Sequence, residues 1–130
     1  MSSGPGGLAE LLGLRPVTFD DGRARFDATV RPEHLNPFGL VHGGMIYSLV
    51  DTAMGAALVT RLERNERCAT LEIKIHYLAP VTEGELRAEA WVLERSRRIS
   101  VLEAKVRDEA DRLVAVALGS FYIQARSQSA

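Results

Sequence analysis

The sequence predicts an α+β fold in which one long helix is wrapped by a five- or six-stranded antiparallel sheet. Three observations carry that expectation. Between Ile46 and Val59 the sole charged residue is Asp51, so a helix here is apolar on nearly every side and belongs in the interior. On both sides of this stretch the pattern changes to alternating apolar and polar residues, the period of a strand. The connections between successive alternating runs are short, which favours antiparallel neighbours.

Taken in order, Leu8, Leu11, Leu12 and Leu14 mark a short helical turn that Gly13 ends. Arg23 to Val30 alternates, with Ala24, Phe26, Ala28 and Val30 on one face, as a half-buried strand does. From Arg31 to His42 the chain holds Pro32, Asn36, Pro37 and Gly39, the composition of a loop. The long helix is expected over Met45 to Arg64; Gly55 inside it costs about 1 kcal/mol relative to Ala, tolerable if another backbone packs closely there. Ala69 to Ala79 would place Leu71, Ile73, Ile75 and Tyr77 on one strand face. Glu83-Gly84 reads as a turn, and strands follow over Leu86 to Glu94, Ile99 to Arg107 and Leu113 to Ile123. Residues 8–125 form a single domain on this reading, with flexible termini at 1–7 and 126–130.

Composition bounds the function. A chain of 130 residues suits one domain with a real core. Sixteen basic against 17 acidic residues give a net charge of −1, without the basic excess a nucleic-acid partner needs. The single cysteine, Cys68, allows neither an intrachain disulfide nor a cysteine-built metal site. No apolar run approaches the ~18 residues of a membrane span, and the N-terminus lacks the pattern of a secretion signal. A cytoplasmic protein without metal or other cofactor is expected. Gly4-Pro5-Gly6-Gly7-Leu8-Ala9 matches the loose dinucleotide fingerprint, but no strand precedes it. A Gly-x-Ser-x-Gly elbow and a His-Glu-x-x-His helix are both missing.

Chemistry concentrates between Asn36 and Asp51. Gly43-Gly44 at a helix start exposes backbone N–H groups where the helix dipole adds partial positive charge, a place to stabilise an oxyanion. The same pair also lets a loop turn sharply into a helix. Asp51 among apolar neighbours must be paired, hydrogen-bonded or face a wet cleft. Asn36 beside Pro37 is a natural turn former. Arg95, Arg97 and Arg98 crowd three cations into four positions, either as a solvated turn or as a phosphate contact.

Read together, this segment resembles the hotdog-fold acyl-CoA thioesterases, in the branch that includes phenylacetyl-CoA thioesterases. The matching elements are Asn36 separated from Gly43-Gly44 by six residues, His42 ahead of the glycines, Asp51 eight residues after Gly43, and Thr70 entering a later strand. Pro80-Val81-Thr82-Glu83-Gly84 and the closing strand from Leu113 to Phe121 complete the order. The resemblance implies hydrolysis of an aryl- or medium-chain acyl-CoA to the free acid and coenzyme A. It assigns the Gly43 N–H to polarising the thioester carbonyl and Asp51 to acting as nucleophile or general base. Asn36 and Thr70 would position substrate or water, His42 and Gly44 would line the substrate site, and Arg95, Arg97 and Arg98 would meet the coenzyme A phosphates. A non-catalytic acyl-CoA sensor and a hydratase of similar architecture are the rival readings. Met45, Tyr47, Met54 and Phe38 are expected to line the acyl pocket.

Spacing adds one consequence. Eight residues rise about 12 Å along a helix and rotate the side chain by about 80°. A carboxylate acting on a carbonyl held by an N–H must lie within about 3–4 Å of the carbonyl carbon. If Gly43 and Asp51 serve one thioester, they come from different chains. A homodimer is therefore expected, assembling further to a homotetramer.

Overall fold

Over the described residues, 6–125 of the computed structural model, the chain runs α1 (Gly7–Leu12), β1 (Arg15–Asp20), β2 (Arg23–Thr29), a 3-10 turn (Pro32–His34), α2 (Gly43–Val59), β3 (Glu66–Tyr77), β4 (Glu85–Arg95), β5 (Ile99–Asp108) and β6 (Leu113–Ala125). The strands form one antiparallel sheet in the order β1-β2-β4-β5-β6-β3. The expected flexible termini at 1–5 and 126–130 lie outside the described residues, while Gly7, expected in the lead-in, opens α1.

Small residues set how closely helix and sheet approach. The buried face carries Ala24 and Ala28 in β2, Ala88 and Ala90 in β4, Ala104 in β5, and Ala115 and Ala117 in β6. Against it α2 places Leu49, Met54 and Leu58, all fully buried, each contributing roughly 1.5–3 kcal/mol by leaving water. At Gly119 even a methyl group is too much. A Cβ there would lie 2.8 Å from the Met54 sulfur and 3.1 Å from Ile73 Cγ1.

The structure departs from the sequence expectations in four places, each with a local cause. Strand β1 went unforeseen because Pro16 interrupts it and only Val17 and Phe19 carry an apolar alternation, too short to mark a strand. Helix α2 stops at Val59 rather than Arg64. There the Thr60 hydroxyl donates to the Ala57 carbonyl and accepts from the Gly22 N–H, and the N–H groups of Arg61 and Leu62 turn back to Leu58 and Val59.

The helix is not enclosed on every side either. Gly44, Ser48, Asp51, Thr52, Gly55 and Val59 form a stripe that the chain's own sheet leaves partly or fully exposed. Finally, the alternation of β3 is broken by a bulge between Thr70 and Glu72, the partners of Phe121 and Ser120. Leu71 falls in the bulge and is 57% exposed rather than inward with Ile73. The inward side therefore changes from the even-numbered Cys68 and Thr70 to the odd-numbered Ile73 and Ile75. Strand β3 is also a sheet edge, 12 residues long and open along its far side among the described residues.

Candidate active site

The β3 bulge has a chemical result: it turns Thr70 toward α2. The Thr70 hydroxyl donates to Asp51 Oδ1 at 2.7 Å, so the carboxylate is held rather than free on an exposed face. Asp51 and Thr70 stand in the wall of a cavity of about 520 Å³, within the range of small-molecule sites. Thr52 stands beside them, and most of the remaining wall is apolar: Phe19 and Pro16 of β1, Phe26 of β2, Phe121 of β6, and Gly55, Ala56 and Val59 of α2. Cys68 also faces it; burial, reinforced by the Asp51 charge, pushes its thiol pKa up, which leaves it a poor nucleophile.

None of Met45, Tyr47, Met54 and Phe38, the residues expected to line an acyl pocket, borders this cavity. Met45 and Met54 belong to the core between helix and sheet, Tyr47 packs partly against that core, and Phe38 is 87% exposed at the tip of the loop before α2. The lining that sequence reasoning missed comes from β1 and β2, which only the folded sheet brings over the helix.

Asn36 and Gly43 lie elsewhere. They border a second cavity, of about 390 Å³, with Ile46 of α2, Tyr77 of β3 and Pro80. The Asn36 side-chain carbonyl accepts the N–H groups of Phe38 and Leu40 at 2.9 and 3.1 Å, building the loop's turn and leaving its amide NH2 as donor. His42 caps α2: its Nδ1 accepts the Gly44 N–H at 2.7 Å, which places the neutral ring's proton on Nε2. Of the two glycine N–H groups that the sequence offered, Gly44's is thus occupied. Among the described residues nothing accepts from Gly43, which keeps its N–H at the positive end of the helix.

Tyr77 was unmarked in the sequence beyond its place on a strand face. Its hydroxyl donates to the Gly43 carbonyl at 2.7 Å, and its ring lies 3.2 Å from where a Cβ of residue 43 would stand. Any side chain at 43 would press on the Tyr77 ring and require it to give way. Burial, then the nearby Tyr47, raises the Tyr77 pKa, so the hydroxyl stays a donor through the neutral range.

The three arginines separate. Arg95 Nη2 donates to both carboxylate oxygens of Glu66, at 2.9 and 3.1 Å, and its Nη1 donates to the Arg61 carbonyl just beyond α2, so Arg95 ties the β4–β5 turn to the start of β3. Arg97 and Arg98 are exposed, Arg98 donating to the Tyr122 hydroxyl at 3.2 Å.

Within one chain, then, the N–H donor and the carboxylate open into different cavities with no lining residue in common. No helix among the described residues is long and apolar enough to cross a membrane.

The same arrangement of helix and sheet occurs in known proteins. The thioesterase superfamily model matches residues 38–115. A conserved protein of Pseudomonas aeruginosa has the same fold with a TM-score of 0.88 and 39% identity, over 92% of this chain and 94% of its own. A phenylacetic acid degradation protein, PaaI, of Thermus thermophilus superposes with a TM-score of 0.82 at 30% identity, over 88% of this chain and 96% of its own. A 1,4-dihydroxy-2-naphthoyl-CoA hydrolase of Listeria monocytogenes is 29% identical over 85% of this chain and 89% of its own length. On this fold, this segment and these likenesses, the chain belongs to the thioesterase superfamily as a hotdog-fold thioester hydrolase.

Proposed function

We propose that residues 8–125 form one acyl-CoA thioesterase domain that hydrolyses an aryl- or medium-chain acyl-CoA in the cytoplasm, working as a homodimer that assembles to a homotetramer. The observation that carries this reading is the separation of Gly43 and Asp51 into two cavities on one helix, about 12 Å apart along its axis. The open stripe of α2 that bears Asp51 and the long free edge of β3 are the surfaces a second copy would cover, bringing its own Gly43 to Asp51.

In this site the thioester carbonyl accepts from the Gly43 N–H of one subunit. Acting as a general base, Asp51 of the other takes a proton from water as the water oxygen bonds to the carbonyl carbon. The oxyanion charge is met by the Gly43 N–H and the helix dipole. Collapse breaks the C–S bond, and coenzyme A leaves with the proton, releasing the free acid. Acting as nucleophile, Asp51 instead bonds to the carbonyl carbon and the C–S bond breaks, expelling the coenzyme A thiolate and leaving a mixed anhydride that water cleaves to the free acid and the Asp51 carboxylate. Thr70 holds the carboxylate in either case, and the amide NH2 of Asn36 adds a donor beside Gly43. His42 and Gly44 shape the carbonyl side of the site through the helix cap rather than by direct contact. Arg97 and Arg98 are the cations left for the coenzyme A phosphates, Arg95 being engaged by Glu66.

Mixing two inactive variants tests the shared site. One carries Asn36→Ala with Gly43→Pro, which removes the N–H at a helix position where proline is accepted once the half-exposed Tyr77 ring shifts. The other carries Asp51→Ala. Random exchange makes about half the dimers mixed, each with one of two sites intact, so roughly a quarter of wild-type thiol release returns. Exchange confirmed by mass with no recovered activity overturns the reading.

A further inference from the structure

Gly55 is an anomaly that neither the fold nor the proposed chemistry uses. It sits in the interior of α2, one turn beyond Asp51, where glycine is a poor helix former relative to alanine. The usual excuses for such a glycine are missing. Its backbone φ is outside the left-handed region, and a Cβ built on it would meet nothing among the described residues nearer than Phe121 Cε2 at 4.0 Å, an ordinary contact. The contrast with the chain's other close-packed glycines is plain, since at Gly43 and Gly119 a Cβ would lie 3.2 and 2.8 Å from a side chain. Among the described residues of one chain no backbone packs on Gly55, the condition under which the sequence made this glycine tolerable.

What lies over Gly55 is the cavity that holds Asp51 and Thr70, and beyond it the walls are Phe19, Phe26 and Phe121. Of its polar lining, Thr70 is bonded to Asp51 and Thr52 follows Asp51 in the chain, while the α2 residues one and two turns on, Gly55, Ala56 and Val59, are apolar. We infer that the acyl group of the substrate runs from Asp51 across Gly55 toward Phe19 and Phe26, and that the absent side chain at 55 sets the largest acyl group the enzyme accepts. The substrate class is accordingly an apolar acyl thioester longer than a few carbons or carrying a ring. This inference rests on the reading of Asp51 as the group that acts on the thioester, and it adds where the rest of the acyl group goes.

The test is a ladder of butanoyl-, hexanoyl-, decanoyl- and benzoyl-CoA assayed with wild type, Gly55→Ala and Gly55→Leu, together with the native mass and melting temperature of each protein. An apolar pocket discriminates about 10- to 200-fold per methylene-sized change. The ratio of kcat/KM for decanoyl- or benzoyl-CoA over butanoyl-CoA is therefore expected to fall at least about 10-fold in Gly55→Leu. Gly55→Ala is expected to fall between, with an unchanged native mass and a melting temperature a few degrees higher as the helix gains a better former. A ratio that stays constant while all substrates lose equally overturns the inference, as does a lowered melting temperature or altered mass in Gly55→Ala, which makes 55 a packing position. Wild type active on butanoyl-CoA alone also overturns it while sparing the thioesterase reading. Wild type that releases no thiol from any member of the ladder overturns both.

Discussion

The two ends of the α2 site are built in opposite ways. Around Gly43 the polar groups fasten one another: Tyr77 holds its carbonyl, His42 holds the next N–H, and Asn36 folds the approaching loop. Around Asp51 a single hydrogen bond from Thr70 stands at the rim of an apolar cavity. The first region fixes the direction of one N–H, as stabilising a developing charge requires, because a donor that must reorient during reaction loses much of its effect. The second supplies a base and room. Precision is spent on the charge and latitude on the acyl group.

The largest expected effect breaks the second region. Asp51→Asn keeps the volume and can still pair with Thr70, so it should fold, yet kcat should drop at least about 100-fold, the scale of a positioned acid–base group. Thiol-release kinetics with a melting curve read both, and wild-type turnover in a folded variant would remove Asp51 from the chemistry.

An intermediate effect probes the first region. Tyr77→Phe keeps the ring over Gly43 and deletes only the hydroxyl, loosening the peptide next to the oxyanion donor. We expect kcat to fall about 10-fold, a fraction of what losing such a donor outright costs, with KM nearly constant and the same factor for every acyl group. The shape of the pH profile should persist, because the Tyr77 hydroxyl does not ionise near neutrality. A loss that varies with acyl size would merge the two regions that the structure separates.

The smallest effect marks where the site stops. The Glu63 N–H, then the Arg95 guanidinium, hold the Glu66 carboxyl below its ordinary value near 4.5. A depressed folded pKa stabilises the fold above that ordinary value, and the gain disappears as pH falls through the folded one. Glu66→Gln should therefore melt slightly below wild type at pH 7, and the gap should close on acidification below about 4.5. KM for acyl-CoA should change little if Arg95 belongs to the fold. A several-fold KM change at constant stability would return Arg95 to the substrate.

How much of this was legible in the sequence follows from where the signals are local. The apolar run of α2, with one charge in it, and the alternation of β2, β4, β5 and β6 are properties of short windows, and those elements lie near expectation apart from the earlier end of α2. Asn36, Gly43, Asp51 and Thr70 stand out by spacing. Tyr77 and Phe19 do not, because their importance comes from residues 34 positions away in one case and from the whole sheet's curvature over the helix in the other. Arg95 looked like its neighbours Arg97 and Arg98 until Glu66, 29 residues earlier, was seen to claim it.

The bulge at Leu71 makes β3 a strand with two reading frames. Upstream of it the even positions look inward, and downstream the odd ones do. Parity along this strand is therefore a stored variable, and one residue of chain length sets it. Deleting Leu71 would let the β3–β6 pairing run in continuous register with Thr70 still opposite Phe121 and Ile73 opposite Gly119, whereas pairing Leu71 itself in the ladder, with no bulge, would turn Thr70 and Cys68 out and bring Ala69 and Arg67 round. For anyone aligning relatives or grafting this strand, reading β3 as one unbroken alternation through 71 exchanges a hydroxyl that holds the carboxylate for a methyl group that cannot.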